Sequence, residues 1–320
     1  MDTLTTRRRS VPGTELTVFP LGLGCNVLGF TLPERPAFAV LDAYAAAGGN
    51  LLDTADSYCH WVGAAGASEE ILGRWMRARG NRDAMVVATK VGQLPGQDDL
   101  RPETIRAAVE GSLRRLQTDR IDVYYAHEDH GEPLEPTLEA FDALVRAGKV
   151  RHVAASNISG TRFADALDLA AARGLSPYVA LQPQYNLVHR AEYEHELAPV
   201  CVDRGVGTFP WWGLASGYLT GKYRVGGTSS TSPRAAVVAP YVNAAGEAVL
   251  AALESVAMEH EQAMATIALA WLAQRPGVVA PLASATSVEQ LAELVAMSDV
   301  VLTPDQVRRL DAASSWSAQV

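Results

Sequence analysis

Short apolar runs that alternate with helix-like segments are the feature that most constrains how this chain can fold. Eight such runs, rich in Val, Ile, Leu and Ala, begin near Phe19, Asn50, Met85, Ile121, Val150, Tyr178, Val206 and Val278. Most are apolar on both faces, which is typical of strands buried in a parallel sheet. From the second run to the seventh, consecutive starts are 28 to 36 residues apart. That spacing fits one strand and one helix, so the pattern predicts an α/β fold built from repeated βα units.

Signals for the beginning and the end of helices lie between these runs. Residues 68–71 open one predicted helix, and Pro102 stands in the first turn of another, where its missing N–H has no helical partner to lose. Gly174, Gly205 and Gly277 each precede the next strand, and a helix C-terminus favours a residue that tolerates positive φ. These signals place helices in the connections between strands.

Two architectures alternate strands and helices in this way, the open doubly wound sheet and the closed (β/α)8 TIM barrel. A count of eight strands favours the barrel. Gly22 and Gly24 begin the glycine pattern of a dinucleotide-binding turn, but Val27 stands where the third glycine would complete it. We therefore predict a TIM barrel that forms a single domain over residues 1–320.

The repeat is broken once, between the seventh and eighth runs. Val206 and Val278 are 72 residues apart, and the surplus contains a stretch rich in Gly, Ser and Thr at residues 226–233. This predicts a long loop over residues 213–245, on the face where barrel enzymes carry their active site. At the start of the chain, residues 1–16 are predicted to form an arm and a short β-hairpin that closes the bottom of the barrel.

Composition and charge exclude several classes of function. The net charge of −9 argues against nucleic-acid binding, which needs a basic face. No uncharged apolar stretch approaches the roughly 20 residues needed to span a bilayer, and no apolar secretory segment follows Met1. The three cysteines form no C-x-x-C pair, which is typical of a reducing compartment. We expect a cytoplasmic protein with neither a nucleic-acid nor a membrane partner, and the sequence indicates no particular oligomeric state.

Residues that are awkward to bury end each apolar run. They are Cys25, Asn26, Asp53, Lys90, His127, Ser156, Asn157, Gln182, Trp211 and Ser284. The C-termini of the strands in a (β/α)8 barrel open onto one face, and active sites are built there. Ser156, Asn26 and Asn157 can equally well be interpreted as the first loop residues after their strands, with no role in a site. Asp53, Lys90 and His127 favour a site, because charged groups that end apolar strands need partners.

The chemistry of these side chains predicts a reaction at a carbonyl or alcohol group. Asp53 and Lys90 lie on adjacent predicted strands and can form an ion pair, and Tyr58 lies at the mouth of the loop after Asp53. A neighbouring ammonium favours the phenolate, so we expect the pKa of Tyr58 to fall from its ordinary ~10. His127 can hydrogen-bond the substrate oxygen, where alkoxide charge develops. No side chain supplies a hydride, so a bound cofactor must do so.

Several segments resemble the aldo-keto reductase family, over nearly the whole chain. LGLGCN is similar to the family's first-strand signature, LLDTADSY to its segment with the catalytic Asp and Tyr, VVATKVG to its Lys strand and IDVYYAH to its His strand. LVRAGKVRHVAASN, LQPQYNLVHR, LASGYLTGKY and ASATSVEQL are similar to later signatures. The resemblance implies that Asp53, Tyr58, Lys90 and His127 form a catalytic tetrad. It implies reduction of an aldehyde, ketone or sugar-like carbonyl, with the proton from Tyr58 and the hydride from a nicotinamide.

The resemblance also implies a bound NADP(H), with NAD(H) as the alternative. Ser156, Asn157 and Gln182 would hold the carboxamide, and Trp211 would stack on the nicotinamide ring. The pyrophosphate would lie along residues 214–217, and the adenosine end would meet the segment after the last strand. The implied cofactor contacts are Cys25, Asn26, Asp53, Ser156, Asn157, Gln182, Trp211, Trp212, Gly213, Leu214, Ala215, Ser216, Gly217, Lys222, Arg234, Ser284, Thr286, Gln290 and Glu293.

The chain departs from the family around the cofactor. Trp212 stands where a small hydroxyl residue usually helps to hold the pyrophosphate. Gln290 stands where many relatives carry an arginine for the 2′-phosphate. A preference for NADPH therefore depends on Lys222 and Arg234.

The substrate pocket is predicted to be walled by His60, Trp61 and Trp212, and the loops over residues 128–132 and 224–243 are expected to contribute to specificity. A metal site is not predicted. Two histidines in His127-Glu128-Asp129-His130 are three residues apart, a spacing that suits a helix, but this segment leaves a strand and no third ligand recurs nearby. The predicted partner is a small carbonyl or alcohol.

Two alternatives to carbonyl reduction stay open. The same tetrad serves the opposite direction, as in an aldose or alcohol dehydrogenase. Some members of the family are cofactor-sensing regulatory subunits of potassium channels, and LTGKY and ATSVEQL resemble them. Those members typically lack the histidine found here as His127, so its presence favours an enzyme.

Overall fold

The computed structural model describes residues 8–226 and 235–315, and its centre is an eight-stranded parallel sheet. In chain order the strands are β1 (Arg9–Ser10), β2 (Thr17–Val18), β3 (Gly22–Gly24), β4 (Leu51–Asp53), β5 (Val86–Val91), β6 (Ile121–Ala126), β7 (Val150–Ser156), β8 (Tyr178–Gln182), β9 (Gly207–Thr208) and β10 (Leu282–Ala283). Strands β3 to β9 pair with their neighbours in sequence, and β10 pairs with β3. The eight predicted runs therefore all contribute a strand.

Backbone hydrogen bonds between the last and the seventh barrel strands close the sheet into a ring. Thr208 forms a parallel bridge with Val278, and the Val279 N–H donates to the Thr208 carbonyl at 2.9 Å. Further along, the Leu282 N–H donates to the Pro210 carbonyl at 2.8 Å. The predicted (β/α)8 TIM barrel is confirmed.

Helices occupy the connections between the barrel strands. They are α1 (Glu34–Ala46), α2 (Ala67–Arg79), α3 (Pro102–Leu116), α4 (Leu134–Arg146), α5 (Gly160–Arg173), α6 (Ala198–Arg204), α7 (Ala235–Val238), α8 (Ala244–Glu259), α9 (Met264–Ala273), α10 (Val288–Val295) and α11 (Pro304–Ala313). Helices α2 and α3 begin where the capping signals predict. Gly174 and Gly205 end α5 and α6 in the left-handed conformation, with φ of 64° and 65°. Gly277 also has a positive φ, but it lies in a turn beyond α9, which ends at Ala273 and is capped by Gln274.

Alternate residues of each strand point into two separate apolar layers. On β6, Val123 and Tyr125 belong to the cluster inside the barrel, whereas Tyr124 and Ala126 pack in the larger layer between the strands and the helices. Both faces of the strand are thus buried, which explains why the runs read as apolar on both sides. The polar exceptions at the strand ends consequently stand out.

The N-terminal hairpin of β1 and β2 closes one end of the barrel, as predicted. Its strands are antiparallel, and it extends to Val18 rather than ending at residue 16. The Arg9 guanidinium donates from Nη1 to the carbonyls of Ala273 at 2.7 Å and Val279 at 3.2 Å. Val11 joins the cluster inside the barrel. The opposite end, where the strands finish, stays open for a site.

The long segment after β9 is more regular than the predicted loop over residues 213–245. It contains a 3-10 helix at Ala215–Thr220, the short helix α7, a second 3-10 helix at Ala239–Tyr241 and the start of α8. Residues 227–234, which include most of the Gly-, Ser- and Thr-rich stretch, lie outside the described residues. The first of these helices lies at the end of the barrel where the strands finish.

Helix length and hydropathy bear on membrane association. In the two described ranges of the chain, no single helix is both long and apolar enough to cross a bilayer. One pair of helices, Ala235–Tyr241 and Ala244–Glu259, meets the length and composition criteria when taken together, with a bend of 92° between them.

Candidate active site

A cavity of about 540 Å³ opens at the C-terminal ends of the barrel strands. Side chains from most of the strand ends meet there although they are far apart in sequence. The predicted site residues that line it are Asn26, Asp53, Tyr58, Trp61, His127, Ser156, Asn157, Gln182, Trp211, Trp212, Gly213, Leu214, Ser216, Gly217 and Ser284. The barrel topology brings them together, because parallel strands in a closed sheet all end on the same face.

A fully buried lysine lies beneath this cavity. The Lys90 ammonium on β5 donates to Asp53 Oδ2 at 2.8 Å, to the Thr54 carbonyl at 2.7 Å and to the Tyr58 hydroxyl at 3.1 Å. These contacts use all three of its N–H donors. Asp53 is on the neighbouring strand β4, in register with Ala88 on β5, so the sheet fixes the separation of the pair. Lys90 itself does not line the cavity and acts on it through Tyr58.

Hydrogen bonds extend from this pair across the barrel to the opposite strands. Gln182 on β8 donates from Nε2 to Asp53 Oδ1 at 2.8 Å, so both oxygens of the carboxylate are held. The Ser156 hydroxyl donates to the Gln182 main-chain carbonyl at 2.8 Å. This chain of contacts fixes the floor of the cavity, since each buried polar group is tied to the next.

The pKa of Tyr58 is shifted in the direction opposite to our expectation. Burial raises it to about 12, and the attraction of Lys90, which acts to lower it, is the smaller effect. The sequence indicated the lysine but not the depth of the phenol, so the predicted fall in pKa was wrong. Burial acts to lower the pKa of Lys90, but Asp53 and Tyr58 together raise it. At neutral pH the pair is therefore a neutral phenol beside an ammonium, which is the state that can donate a proton.

His127 faces Tyr58 across the cavity, with 6.0 Å between the ring centroids. Burial lowers the pKa of His127 well below its usual range, and Lys90 and His130 add to this shift. Its Nδ1 is buried and has no hydrogen-bond partner among the described residues. The imidazole is thus neutral and can share a hydrogen bond with a ligand oxygen beside the tyrosine hydroxyl.

The segment after β9 forms one wall of the cavity with a strained backbone. Trp212, Ala215 and Ser216 have positive φ of 57°, 47° and 57°, a conformation that side chains other than glycine rarely adopt. A Cβ placed on Gly217 would lie 3.2 Å from the Lys222 ammonium, so the cation lies against this backbone. Turns of this kind, together with a cation, can hold an anionic group such as a pyrophosphate.

The remaining predicted cofactor contacts that the structure describes lie outside the cavity lining. The Cys25 thiol is buried and donates to the Leu23 carbonyl, and burial raises its pKa. Thr286 donates through both its N–H and its hydroxyl to Gln290 Oε1, at 2.9 Å each. Five other predicted contacts also do not line the cavity: Ala215, Lys222, Thr286, Gln290 and Glu293. Arg234 lies outside the described residues.

Some of the residues predicted to form the substrate pocket line the cavity, and others do not. Trp61 and Trp212 line the cavity, whereas His60 does not and contacts Trp61 edge-on at 5.3 Å between the centroids. Of the loop over residues 128–132, Glu128 reaches the cavity. Gln93, which also lines it, was missed, although the rule applied to the other strands, that polar residues just past a strand end face the site, would have found it. His130 bonds the Gly92 carbonyl, and no cluster of three or more potential metal ligands occurs in the part of the chain that the structure describes.

A second carboxylate of the same segment, Asp56, is buried without a partner. Neither of its oxygens has a hydrogen-bond partner among the described residues. Its neighbour Glu69, in contrast, is held by Arg115 at 2.6 Å and by Thr89 at 2.6 Å. Burial, and then repulsion from Glu69, raise the pKa of Asp56 to about 7. Asp56 is therefore expected to make the stability of the fold depend on pH.

We predict that stability falls as pH rises from 5 to 8 because of Asp56. The pKa is about 7 in the folded protein and 3.8 as the ordinary value, so over this interval the folded state binds the extra proton and rising pH removes that advantage. The variant Asp56→Asn has no such proton to lose. Its free energy of unfolding relative to that of the wild type should therefore rise by about 2 to 3 kcal/mol between pH 5 and pH 8. Urea unfolding of both proteins at the two pH values measures it. An unchanged difference in unfolding free energy would contradict the assignment.

An ion-paired lysine and a tyrosine side by side at the mouth of a barrel can move a proton to or from a ligand oxygen, as an oxidoreductase acting on a carbonyl or alcohol requires. The chain is a member of the aldo/keto reductase family, whose model matches residues 20–315. It is 33% identical to the uncharacterized oxidoreductase YrpG of Bacillus subtilis (strain 168), over 93% of each chain. It is 34% identical to a probable voltage-gated potassium channel subunit beta of Oryza sativa subsp. japonica, over 93% of each. A protein named aryl-alcohol dehydrogenase (NADP(+)), of Phanerodontia chrysosporium, is 29% identical over 95% of this chain and 84% of its own.

Proposed function

We propose that this protein reduces an aldehyde, ketone or sugar-like carbonyl to the alcohol, reversibly, with NADPH as the hydride donor. The observation that carries the proposal is the 3.1 Å hydrogen bond between the buried Lys90 ammonium and the Tyr58 hydroxyl at the floor of an open cavity. Such a pair delivers a proton to an oxygen and then stabilises the phenolate left behind. We further propose a cytoplasmic enzyme whose partner is a small molecule rather than a nucleic acid or a membrane.

Each member of the tetrad has a separate role in this proposal. A bound nicotinamide cofactor would supply the hydride for the carbonyl carbon, and the carbonyl π electrons would then become a lone pair on the oxygen. Tyr58 gives its hydroxyl proton to that oxygen, and the neutral His127 orients the same oxygen by a hydrogen bond. Lys90 stabilises the resulting phenolate, and Asp53 holds Lys90 in place. In the direction of alcohol oxidation the same groups act in reverse.

The cofactor would be held on the opposite side of the cavity from Tyr58. The Trp211 indole N–H is buried and has no hydrogen-bond partner among the described residues, as expected of a ring that completes its contacts with a ligand. Lys222 lies against the strained backbone at Gly217 and supports a pyrophosphate there. The preference for NADPH over NADH rests on Lys222 and Arg234.

Removal of the Trp211 ring is predicted to weaken cofactor binding. The ring lines the cavity and packs edge-on against Trp212 at 5.2 Å between the centroids, so Trp211→Ala removes an ordered surface for stacking. We expect Kd for NADPH to rise about tenfold. Fluorescence titration measures the Kd, and the control is Trp75→Phe, which replaces a buried indole that does not line the cavity. Equal affinities for NADPH in Trp211→Ala and the wild type would show that the ring does not stack on the nicotinamide.

The proposed reaction is tested with NADPH and a panel of aldehydes, ketones and sugars. Stopped-flow fluorescence follows both the binding of NADPH and its oxidation. We expect binding, followed by oxidation with at least one carbonyl, and formation of NADPH when NADP⁺ is mixed with the matching alcohol. Binding of NADPH without oxidation by any carbonyl would sink the enzyme assignment.

That last outcome would favour the second candidate function, a cofactor-sensing regulatory subunit. The observation behind it is the similarity to relatives named as probable potassium channel beta subunits. His127 in the cavity beside Tyr58 supports the enzyme instead, because a sensor of bound cofactor has no need of a group that orients a substrate oxygen.

A further inference from the structure

Two polar side chains that the tetrad does not use lie at the edge of the cavity. Gln93, just beyond β5, donates from Nε2 to Glu128 Oε2, just beyond β6, at 2.8 Å. Both residues line the cavity. The bond joins two neighbouring loops, so it holds the Glu128 carboxylate in one place.

The strand order puts this pair on the substrate side of the cavity. Around the barrel, the proposed nicotinamide contacts follow β7, β8 and β9, whereas Tyr58, Lys90 and His127 follow or end β4, β5 and β6. Gln93 and Glu128 belong to the second arc, and Glu128 is the residue directly after His127. A substrate whose carbonyl oxygen lies between Tyr58 and His127 therefore extends past this pair or close to it.

The charge of Glu128 is not balanced locally. The other carboxylate in the cavity lining, Asp53, is neutralised by its ion pair with Lys90. Glu128 has no salt-bridge partner among the described residues, and no described residue other than Gln93 donates a hydrogen bond to its carboxylate. None of the described residues that line the cavity is a lysine or an arginine. The substrate side of the cavity is thus negative, with Trp61 as its apolar wall and Trp212 as a second aromatic wall that follows β9.

We propose that Glu128, positioned by Gln93, is a specificity-determining residue that selects against anionic carbonyl substrates and favours cationic or neutral ones. This inference rests on the proposed function. Its physical basis is the Coulomb interaction inside a partly enclosed cavity, where screening by water is weaker than in bulk solvent. A carboxylate on the substrate meets repulsion from Glu128, and an ammonium meets attraction. The aromatic walls add apolar contact without regard to charge.

The inference is tested with three benzaldehydes that carry different charges at the para position: a carboxylate, a nitro group and a trimethylammonium group. In the wild type, kcat/KM should be highest for the cation and lowest for the anion. In Glu128→Gln the ratio of the cation to the anion should fall about tenfold, because one charge has been removed near the bound ring. In Gln93→Ala, which keeps the charge but frees the side chain, the ratio should fall by less. Glu139→Gln, on an exposed face of α4, removes the same charge away from the cavity and should leave the ratio unchanged.

The outcomes separate the inference from the function beneath it. If NADPH is bound but none of the three aldehydes is reduced, while other carbonyls are, the inference is overturned and the proposed function stands. If no carbonyl of any kind is reduced, both are overturned. If the aldehydes are reduced and Glu128→Gln changes the cation-to-anion ratio no more than Glu139→Gln does, the inference alone is wrong.

Discussion

Replacement of Tyr58 by phenylalanine is expected to lower kcat/KM for carbonyl reduction by about 10³-fold or more, while the affinity for NADPH changes by no more than a few-fold. The phenol lines the cavity beside the Lys90 ammonium and is neutral and protonated at neutral pH, since burial raises its pKa to about 12. Phenylalanine keeps the ring and its packing and removes only the proton donor. Steady-state reduction and a fluorescence titration with NADPH measure the two effects.

The control for this variant is another buried tyrosine. Tyr124 is on β6 but points into the layer between strands and helices, and its hydroxyl has no hydrogen-bond partner among the described residues. Tyr124→Phe should therefore retain activity within a few-fold. Comparable activity in Tyr58→Phe and the wild type would mean that another group delivers the proton.

The raised pKa of Tyr58 also predicts which direction is sensitive to pH. Reduction requires the protonated phenol, so it should be insensitive to Tyr58 ionisation across the neutral range and decline only as pH approaches about 12. Alcohol oxidation requires the phenolate, so it should become faster as pH rises from neutral. Between neutral pH and about pH 10, the rate of alcohol oxidation should therefore rise with pH while the rate of reduction stays constant, and steady-state rates in both directions measure this.

The comparison of Asp53 with Asp56 defines how far the sequence alone determines the site. Both carboxylates lie in the same DTADSY segment, three residues apart. Asp53 could be identified from the sequence because it is a charged residue that ends an apolar run. In the structure it contacts Lys90 and Gln182. Nothing in the sequence distinguished Asp56, whose unusual property, burial without a partner, depends on the packing of α2 and α3 around it. Residues that end strands are predictable because the barrel topology alone places them.

The incorrect pKa expectation has the same origin. The spacing of Tyr58 and Lys90 correctly indicated that the two groups meet, but the balance between attraction and desolvation depends on how deeply the phenol is buried. The burial of Tyr58 is a sum over every side chain around it, including Trp61 and His127, and no local sequence pattern encodes it. The short helices found in residues 213–245 were missed for a related reason, since they lack the apolar period of a long amphipathic helix.

Loss of the Lys90 charge should affect both stability and activity. Lys90 is fully buried, and Lys90→Met leaves the Asp53 carboxylate with Gln182 as its remaining side-chain donor. Breaking a buried pair by removing one partner typically costs about 3 to 5 kcal/mol, so this variant should unfold at a much lower urea concentration. When folded Lys90→Met is assayed, its reductase activity should be as low as that of Tyr58→Phe or lower. The reason is that the phenolate formed at Tyr58 no longer has a cation beside it.

The double variant Asp53→Asn/Lys90→Met separates these two effects. Removing both charges leaves neither member of this pair as an ion without its partner, so about half or more of the lost stability should return relative to Lys90→Met alone. Activity should not return, because the double variant still lacks the ammonium 3.1 Å from the Tyr58 hydroxyl. Urea unfolding and the carbonyl assay on the two single variants and the double variant complete the cycle. Recovery of activity together with stability would mean that Lys90 serves the fold only, whereas a double variant as unstable as Lys90→Met would show that the unpaired Asp53 carboxylate is not what destabilises the protein. We thus expect the fold to tolerate replacement of the ion pair by two uncharged side chains. The positive charge of Lys90 is expected to be required for the proton transfer from Tyr58.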